Sequence, residues 1–357
     1  MLFGKKSLAI DISDYSVEII SLGGSVNQPK LLAMGSAVIK PWIFEAGQIA
    51  KKEEFKKLLK ELVRKPQFGR VNSDRVTLAV PEAESFVFFR NLPLEQNVKV
   101  EEFARLELAK NVPYPIEELY FDYQVFGKEV FIVGSPKAII NNYLEAIRSI
   151  GFKPVAVEVE SISLGRVLIN DNQPTMIADI GARVSNFSIF DDQKLKYSFS
   201  LPIAGSNFTK ALAQKLDMTE ERAEALKVKV GLDPKPEKGR VFLVMQKEMN
   251  EITNEVKRIE AFFNEKENKT IAKVILAGGS AALPKIAEYF SGNLEKPVEI
   301  CDPWDKINID ILKNKESLAK VRSVNPTVYA TAIGLALRGL ENNPEKSAIN
   351  LLPASGK

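Results

Sequence analysis

The feature that most narrows the fold is a pattern that occurs twice. Ser7-Leu8-Ala9-Ile10-Asp11-Ile12-Ser13 is an apolar strand pattern with an Asp near its end, a tight turn after it and a second strand at Val17 to Leu22. Thr175-Met176-Ile177-Ala178-Asp179-Ile180-Gly181 restarts the same pattern, with its second strand at Ser185 to Phe190. One such match is weak; two, each opening one half of the chain, indicate a duplicated α/β domain. At 357 residues and 45% hydrophobic, the chain can bury the two cores this requires.

The segments between the repeats have their own periods. Phe55, Leu58, Leu59, Leu62 and Val63 keep a helical stripe, and Val76 to Val80 is a buried strand stopped by Pro81. From about Ser85 to Ile150 the predicted order is β-α-β-β-α, a compact α+β insertion whose first helix must stop at Val112-Pro113-Tyr114-Pro115. Asn170-Asp171-Asn172-Gln173-Pro174 is the best linker candidate. In the second half, Thr219 suits the N-cap of a helix over Glu220 to Val230. A long helix then carries Met245, Met249, Ile252, Val256, Ile259 and Phe263 on one stripe. The strand Ile271 to Ala277 runs into Gly278-Gly279-Ser280, and Asn325-Pro326 opens an apolar final helix. The expected division is 1–84 with 151–170 (first-lobe core), 85–150 (insertion), 171–205 with 268–340 (second-lobe core), 206–267 (second-lobe subdomain) and the tail 341–357.

Composition removes several chemistries. The sequence has no histidine, which excludes a His-assisted nucleophile and a His-rich zinc site. Cys301 is the single cysteine, so no internal disulfide forms, and beside a strand it reads as structural. A net charge of +3, with both signs spread along the chain, argues against a nucleic-acid binder. No apolar run approaches the roughly 20 residues that span a bilayer, and the expectation is a soluble, cytoplasmic protein.

Neither a G-x-x-x-x-G-K-[ST] loop nor a G-x-G-x-x-G fingerprint is present, so P-loop and Rossmann readings fail. Two strand–Asp–turn–strand units and a strand ending in Gly-Gly-Ser could instead supply backbone N–H groups for phosphates and carboxylates for a magnesium ion. At these residues the chain resembles the actin, sugar kinase and Hsp70 superfamily. Asp11-Ile12-Ser13-Asp14-Tyr15-Ser16 is similar to its first phosphate loop and Ala178-Asp179-Ile180-Gly181-Ala182 to its second. Ile275-Leu276-Ala277-Gly278-Gly279-Ser280-Ala281 is similar to its adenosine loop. The implied fold is α/β: two actin-like (RNase H-like) lobes with a small α+β insertion in the first.

Within that superfamily the chain resembles the PilM family of type IV pilus assembly proteins. The resemblance is carried by Glu107 to Tyr114, Ile203 to Thr209, Ala223 to Lys227 and Ala332 to Arg338, in order along essentially the whole chain. It implies ATP or ADP with Mg2+, the ion held through water by Asp11 and Asp179. It further implies nucleotide contacts from Ser13, Asp14, Tyr15, Ser16, Gly181, Ala182, Gly205, Glu224, Lys227, Gly278, Gly279 and Ser280. A strand-terminal Asp more often caps a turn, and Glu224 with Lys227 also fits an ordinary i, i+3 surface pair. Glu107, a carboxylate on the apolar stripe of its helix, is either paired internally or the one catalytic candidate. Where the family's first loop has glycine and then a basic residue, this chain has Ser13 and Glu18, and Ala204 replaces another glycine. These departures would weaken nucleotide binding and could leave hydrolysis absent, making the protein at most a slow ATPase.

The implied function is a cytoplasmic scaffold that associates with the inner membrane only through partners, recruiting a PilN-like protein by a short cytoplasmic peptide. Ile349-Asn350-Leu351-Leu352-Pro353 in the tail is similar to the Ile-Asn-Leu-Leu-Pro motif of that partner. The tail either occupies the partner's groove, between the first lobe and its insertion, in its own molecule or a neighbour, or simply packs locally. An FtsA-like filament-forming ATPase is the alternative, although 341–357 lacks a basic amphipathic stripe. A sugar-kinase-like enzyme is the weaker one.

Overall fold

The computed structural model describes residues 5–13, 15–45, 47–93, 99–307, 309 and 315–353. The chain divides into two units, Met1–Val167 with Trp304–Val324 and Thr331–Lys357, and Leu168–Pro303 with Asn325–Ala330.

Unit 1 opens with a meander of β1 (Lys5–Ile12), β2 (Ser16–Ser25) and β3 (Gln28–Val38). A two-residue hairpin, β4 (Phe44–Glu45) and β5 (Gln48–Ile49), leads into α1 (Lys52–Arg64). That helix buries Phe55, Leu59 and Leu62, the face its stripe predicts, and Phe44 meets Phe55 edge to face. β6 (Phe68–Gly69) and β7 (Arg75–Val80) follow. Next come β8 (Phe86–Asn91), α2 (Val100–Asn111), β9 (Leu119–Phe126), β10 (Glu129–Pro136), α3 (Lys137–Ser149), β11 (Lys153–Val159) and α4 (Glu160–Leu168). The β-α-β-β-α order expected of the insertion is the one observed. Its strands form a separate sheet, β8-β10-β9, covered by Ala104 and Leu108 of α2 packing on Val130 and Ile132.

Unit 2 repeats the meander as β12 (Thr175–Ile180), β13 (Ser185–Asp191) and β14 (Lys194–Leu201). Three helices follow, α5 (Gly205–Lys215), α6 (Glu220–Val230) and α7 (Arg240–Glu267). β15 (Lys273–Ala277), α8 (Ile286–Leu294) and β16 (Val298–Ile300) complete the sheet. The methionines and β-branched residues on the stripe of α7 are buried in the unit's core with Phe187, Phe208 and Phe290.

Unit 1's sheet has six strands, β6-β3-β2-β1-β7-β11, and unit 2's has five, β14-β13-β12-β15-β16; leaving aside the two-residue β6, the spatial order is the same in both, a three-strand meander followed by two further strands beside its first. In both, the first three strands are antiparallel and the fourth runs parallel to the first. The duplication read from fourteen residues therefore extends to both sheets, as the actin-like reading requires.

The chain then returns to unit 1 through α9 (Lys315–Arg322) and α10 (Ala330–Leu340). The expected start at Asn325-Pro326 is a separate 3-10 turn, Pro326–Tyr329, with the Asn325 side chain accepting from the Thr327 amide at 3.1 Å. α10 is apolar nearly all round because it lies on unit 1's sheet. Ser7 Oγ donates to Ala336 O and Thr77 Oγ1 to Leu335 O, each at 2.8 Å. Gly334 permits this closeness to α4, since a Cβ there would collide with the backbone of Ser163. Among the described residues no helix is long and apolar enough to cross a membrane.

Candidate functional site

In unit 2, β12 ends at Asp179-Ile180 and turns through Gly181, whose N–H donates to Val184 O at 3.1 Å. The N-terminus of α5 is stitched to this turn. Gly205 N donates to Gly181 O at 3.1 Å and Ser206 N to Ala182 O at 2.7 Å. Asn207 closes the helix start by accepting from Ala204 N at 3.0 Å. Gly205 is required on packing grounds: a Cβ would lie 2.9 Å from Ser280 Oγ and 3.2 Å from Gly181 O.

The third strand of the site, β15, delivers Gly278 beside the first turn. Gly278 has φ +80° and ψ 173°, a conformation essentially reserved for glycine. A Cβ on it would stand 2.7 Å from Ile180 O and closer still to Asp179 Oδ1. Ser280 Oγ donates to Gly181 O at 3.2 Å, and Thr327 Oγ1 donates to Gly278 O at 2.6 Å. Gly205 thus meets the Gly181 turn backbone to backbone, and Gly278 packs against the Asp179 carboxylate and Ile180 O. Thr327 is a residue that sequence reasoning missed, because its contact lies 49 positions away.

Glu224 and Lys227 of α6 form an i, i+3 pair whose lysine end is buried and whose carboxylate end is partly exposed. Lys227 is 6% exposed, and its Nζ donates to Glu224 Oε2 (2.7 Å), Gly205 O (3.0 Å) and Thr209 Oγ1 (3.0 Å). The Thr209 hydroxyl in turn donates to Glu224 Oε2 at 2.5 Å. A buried ammonium group is tolerable only with such acceptors, and this network fixes α6 against the start of α5. Thr209 was also missed; its spacing of one helical turn from Gly205 was the available signal. Nearby, burial pushes the Cys301 thiol up to about 12, and the charges of Asp179 and Asp302 push the same way, so it stays protonated and structural.

The equivalent turn in unit 1 keeps the same backbone and differs in its lining. Ser13 N donates to Ser16 O at 2.9 Å, as Gly181 N does to Val184 O. The Ser13 hydroxyl, however, accepts from Tyr15 N (3.2 Å) and Ser16 N (2.9 Å), so a side chain already occupies the amides a phosphate oxygen would use. Asp14 lies outside the described residues. Asp11 stands across the β1–β2 ladder from Glu18, which is 4% exposed and accepts from Ser36 Oγ at 2.9 Å. Burial pushes Glu18 up to about 7, against the lowering effect of hydrogen bonds to Ser16 and Ser36.

The remaining predicted residues lie elsewhere in unit 1. Glu107 of α2 pairs with Arg90 Nε of β8 at 3.0 Å, so the carboxylate on the apolar stripe has an internal partner. Ile349 and Leu351 of the tail are each 1% exposed, buried against unit 1. Among the described residues, no three His, Cys, Asp or Glu side chains cluster as a metal site. One or two carboxylates with waters fit magnesium that arrives on phosphates rather than an ion held by protein alone.

Solved structures share this fold. The PilM-PilN type IV pilus biogenesis complex aligns with a TM-score of 0.80 at 22% identity, covering 94% of this chain and 98% of that one. Ethanolamine utilization protein EutJ from Carboxydothermus hydrogenoformans aligns at 0.58 and 14% identity, covering 93% and 89%. MreB5 of Spiroplasma citri bound to ADP aligns at 0.53 and 14% identity, covering 92% and 94%. Residues 9–340 match the family described as type IV pilus assembly protein PilM, and the chain belongs to that family.

Proposed function

We propose that this chain is a nucleotide-binding scaffold of the type IV pilus inner-membrane assembly complex, which it joins by binding a short cytoplasmic peptide of a PilN-like protein. The observation that carries the nucleotide reading is the close backbone packing of two glycine turns beside Asp179: Gly205 N is bonded to Gly181 O, and Gly278 lies so near the Asp179 carboxylate that no Cβ fits between them. Close backbone approach and a nearby carboxylate are what a polyphosphate with magnesium needs. In this reading Asp179 orients the ion's waters, and Gly181, Ala182, Gly278, Gly279 and Ser280 present backbone to the nucleotide. Glu224, partly exposed and held by Lys227 and Thr209, offers acceptor atoms to its sugar, while Lys227, its three donors already used, positions that carboxylate. Asp11, Ser13, Tyr15 and Ser16 are proposed for phosphate and metal on the resemblance of their turn alone. Magnesium would supply charge neutralisation for the phosphates when bound. The PilM-PilN complex among the structural relatives supports the partner, and with it a cytoplasmic protein held at the inner membrane by others.

The test is titration of fluorescent ATP with Mg2+ into the wild-type chain and Asp179→Ala. Wild-type binding that weakens by about tenfold or more in the variant supports the site, a loss appropriate to one charged contact. Absence of binding by the wild type leaves a scaffold that works without nucleotide. Failure of the PilN-like peptide to bind even a chain lacking residues 347–357 would remove the recruitment reading separately.

A further inference from the structure

Beyond α10 the chain doubles back on unit 1. Arg338, in α10 and fully buried, donates from Nε to Pro344 O (2.9 Å), from Nη2 to Ala348 O (3.1 Å) and from Nη1 to Ile349 O (2.6 Å). It also pairs with Glu158 of β11, equally buried, which is held on its other side by Arg166 of α4 at 2.6 Å. Burial alone would push the Glu158 carboxyl up; Arg166 and Arg338 overturn that and hold it down at about 2. The tail's carbonyls are thus received by a guanidinium that is itself paired with Glu158 within the unit.

The segment next runs along β11. Leu351 N donates to Val157 O (2.8 Å), and Val157 N donates to Asn350 Oδ1 (3.0 Å). Asn350 N donates to Asp122 Oδ2 of β9 at 2.8 Å. β11 is an outer strand of the six-stranded sheet, an edge whose main-chain groups would otherwise be open to pairing. The hold consists of one main-chain bond to β11, the Asn350 side-chain amide, the Asp122 carboxylate, the Arg338 guanidinium and two buried aliphatic side chains, so it reads an extended backbone with a central Asn. None of these contacts requires a covalent link to α10. The connection 345–347 is exposed, so it can act as a tether without unpacking core.

We propose that residues 347–353 are a releasable strap, and that the β11 edge with Asp122 and Arg338 forms a seat for a partner's extended peptide of the same pattern, apolar–Asn–apolar, which the strap excludes while docked. This deepens the peptide-recruitment reading above and rests on it, but not on nucleotide binding. Tethering sets the competition: a segment on a short linker acts at an effective concentration of about a millimolar, so micromolar peptide in solution enters only when the strap's own hold is weakened.

The experiment uses the full chain and a fluorescein-labelled peptide of residues 345–353. Asn350→Ala removes the acceptor of Val157 N and of Leu352 N. Peptide uptake, read by anisotropy, should tighten about tenfold in this variant relative to wild type. A folded variant, judged by near-UV circular dichroism, that takes up no more peptide than wild type overturns the proposal. So does equal uptake of a peptide carrying Ala in place of Asn, which would mark adventitious apolar binding. Should the variant fail to fold, hydrogen exchange on the wild type decides. The Leu351 and Val157 amides opening together, faster than those of β7, supports a strap; exchange at the rate of β7 makes it a fixed strand and overturns the idea. A PilN-like peptide that does not bind while the chain's own peptide does would sink the recruitment reading and leave the seat standing.

Discussion

The two Asp-bearing hairpins have nearly identical backbones and different capacities. Asp11 faces Glu18 across one ladder and Asp179 faces Asn186 across the other, and the same 3-to-6 bond closes both turns. What differs is the third residue. Ser13 turns its hydroxyl back onto the amides of its own loop, whereas Gly181 has no side chain and leaves its carbonyl to Gly205 and Ser280. Glu18 then adds a buried carboxylate where the other hairpin has a neutral amide. Duplication fixed the strands, and single residues decided what lines each turn.

That contrast can be broken most severely at Gly278. Gly278→Ala puts a methyl group against Asp179 and Ile180 O in a backbone region closed to alanine, and should cost about 3–5 kcal/mol in urea unfolding. A loss below about 1 kcal/mol would mean the loop has room and is no tight cradle.

The next effect is electrostatic. The folded pKa of Glu18 lies above its unfolded value of 4.5, so the folded state keeps a proton that the unfolded chain has released. Its stabilising contribution is complete below about pH 4.5 and is lost as pH rises to about 7, a swing of at most about 3 kcal/mol. Glu18→Gln should flatten the decline of the urea midpoint between pH 5 and pH 8. An unchanged decline would place its origin in another group.

The smallest effect sharpens the comparison directly. Ser13→Gly frees the amides of Tyr15 and Ser16, and should tighten Mg-ATP binding about threefold to tenfold at a stability cost of about 1 kcal/mol. Weaker binding in that variant would show that the hydroxyl is itself a ligand contact. Gly181→Ser, the converse, should weaken binding by a similar factor.

The hairpins were legible because strand, Asp and turn are contiguous, so a seven-residue window holds the whole signal. The same holds for α1 and α7, whose stripes are long enough to show their period. β16 has three residues, and α8 carries Ser291, Gly292 and Asn293 in its last turns, so neither offers a period to count. At the site, Asp179 and the glycines are chemically distinctive, whereas Thr209 and Thr327 are ordinary threonines given meaning by neighbours. Arg338 illustrates the limit: on an apolar helix it looks like an outlier until the fold brings Glu158 to it from 180 positions away. Ser13 and Glu18 were visible as departures, yet only the geometry shows a hydroxyl capping the loop from within.

The place of α10 also has a consequence in time. β1 and β7 are among the first strands a ribosome releases, but the helix that covers them, receiving the hydroxyls of Ser7 and Thr77, comes from residues 330–340. The whole span 168–303 emerges in between and carries its own core. During synthesis the second unit can therefore close while the first waits with an uncovered sheet, and the nascent chain is most exposed to misassembly in that interval.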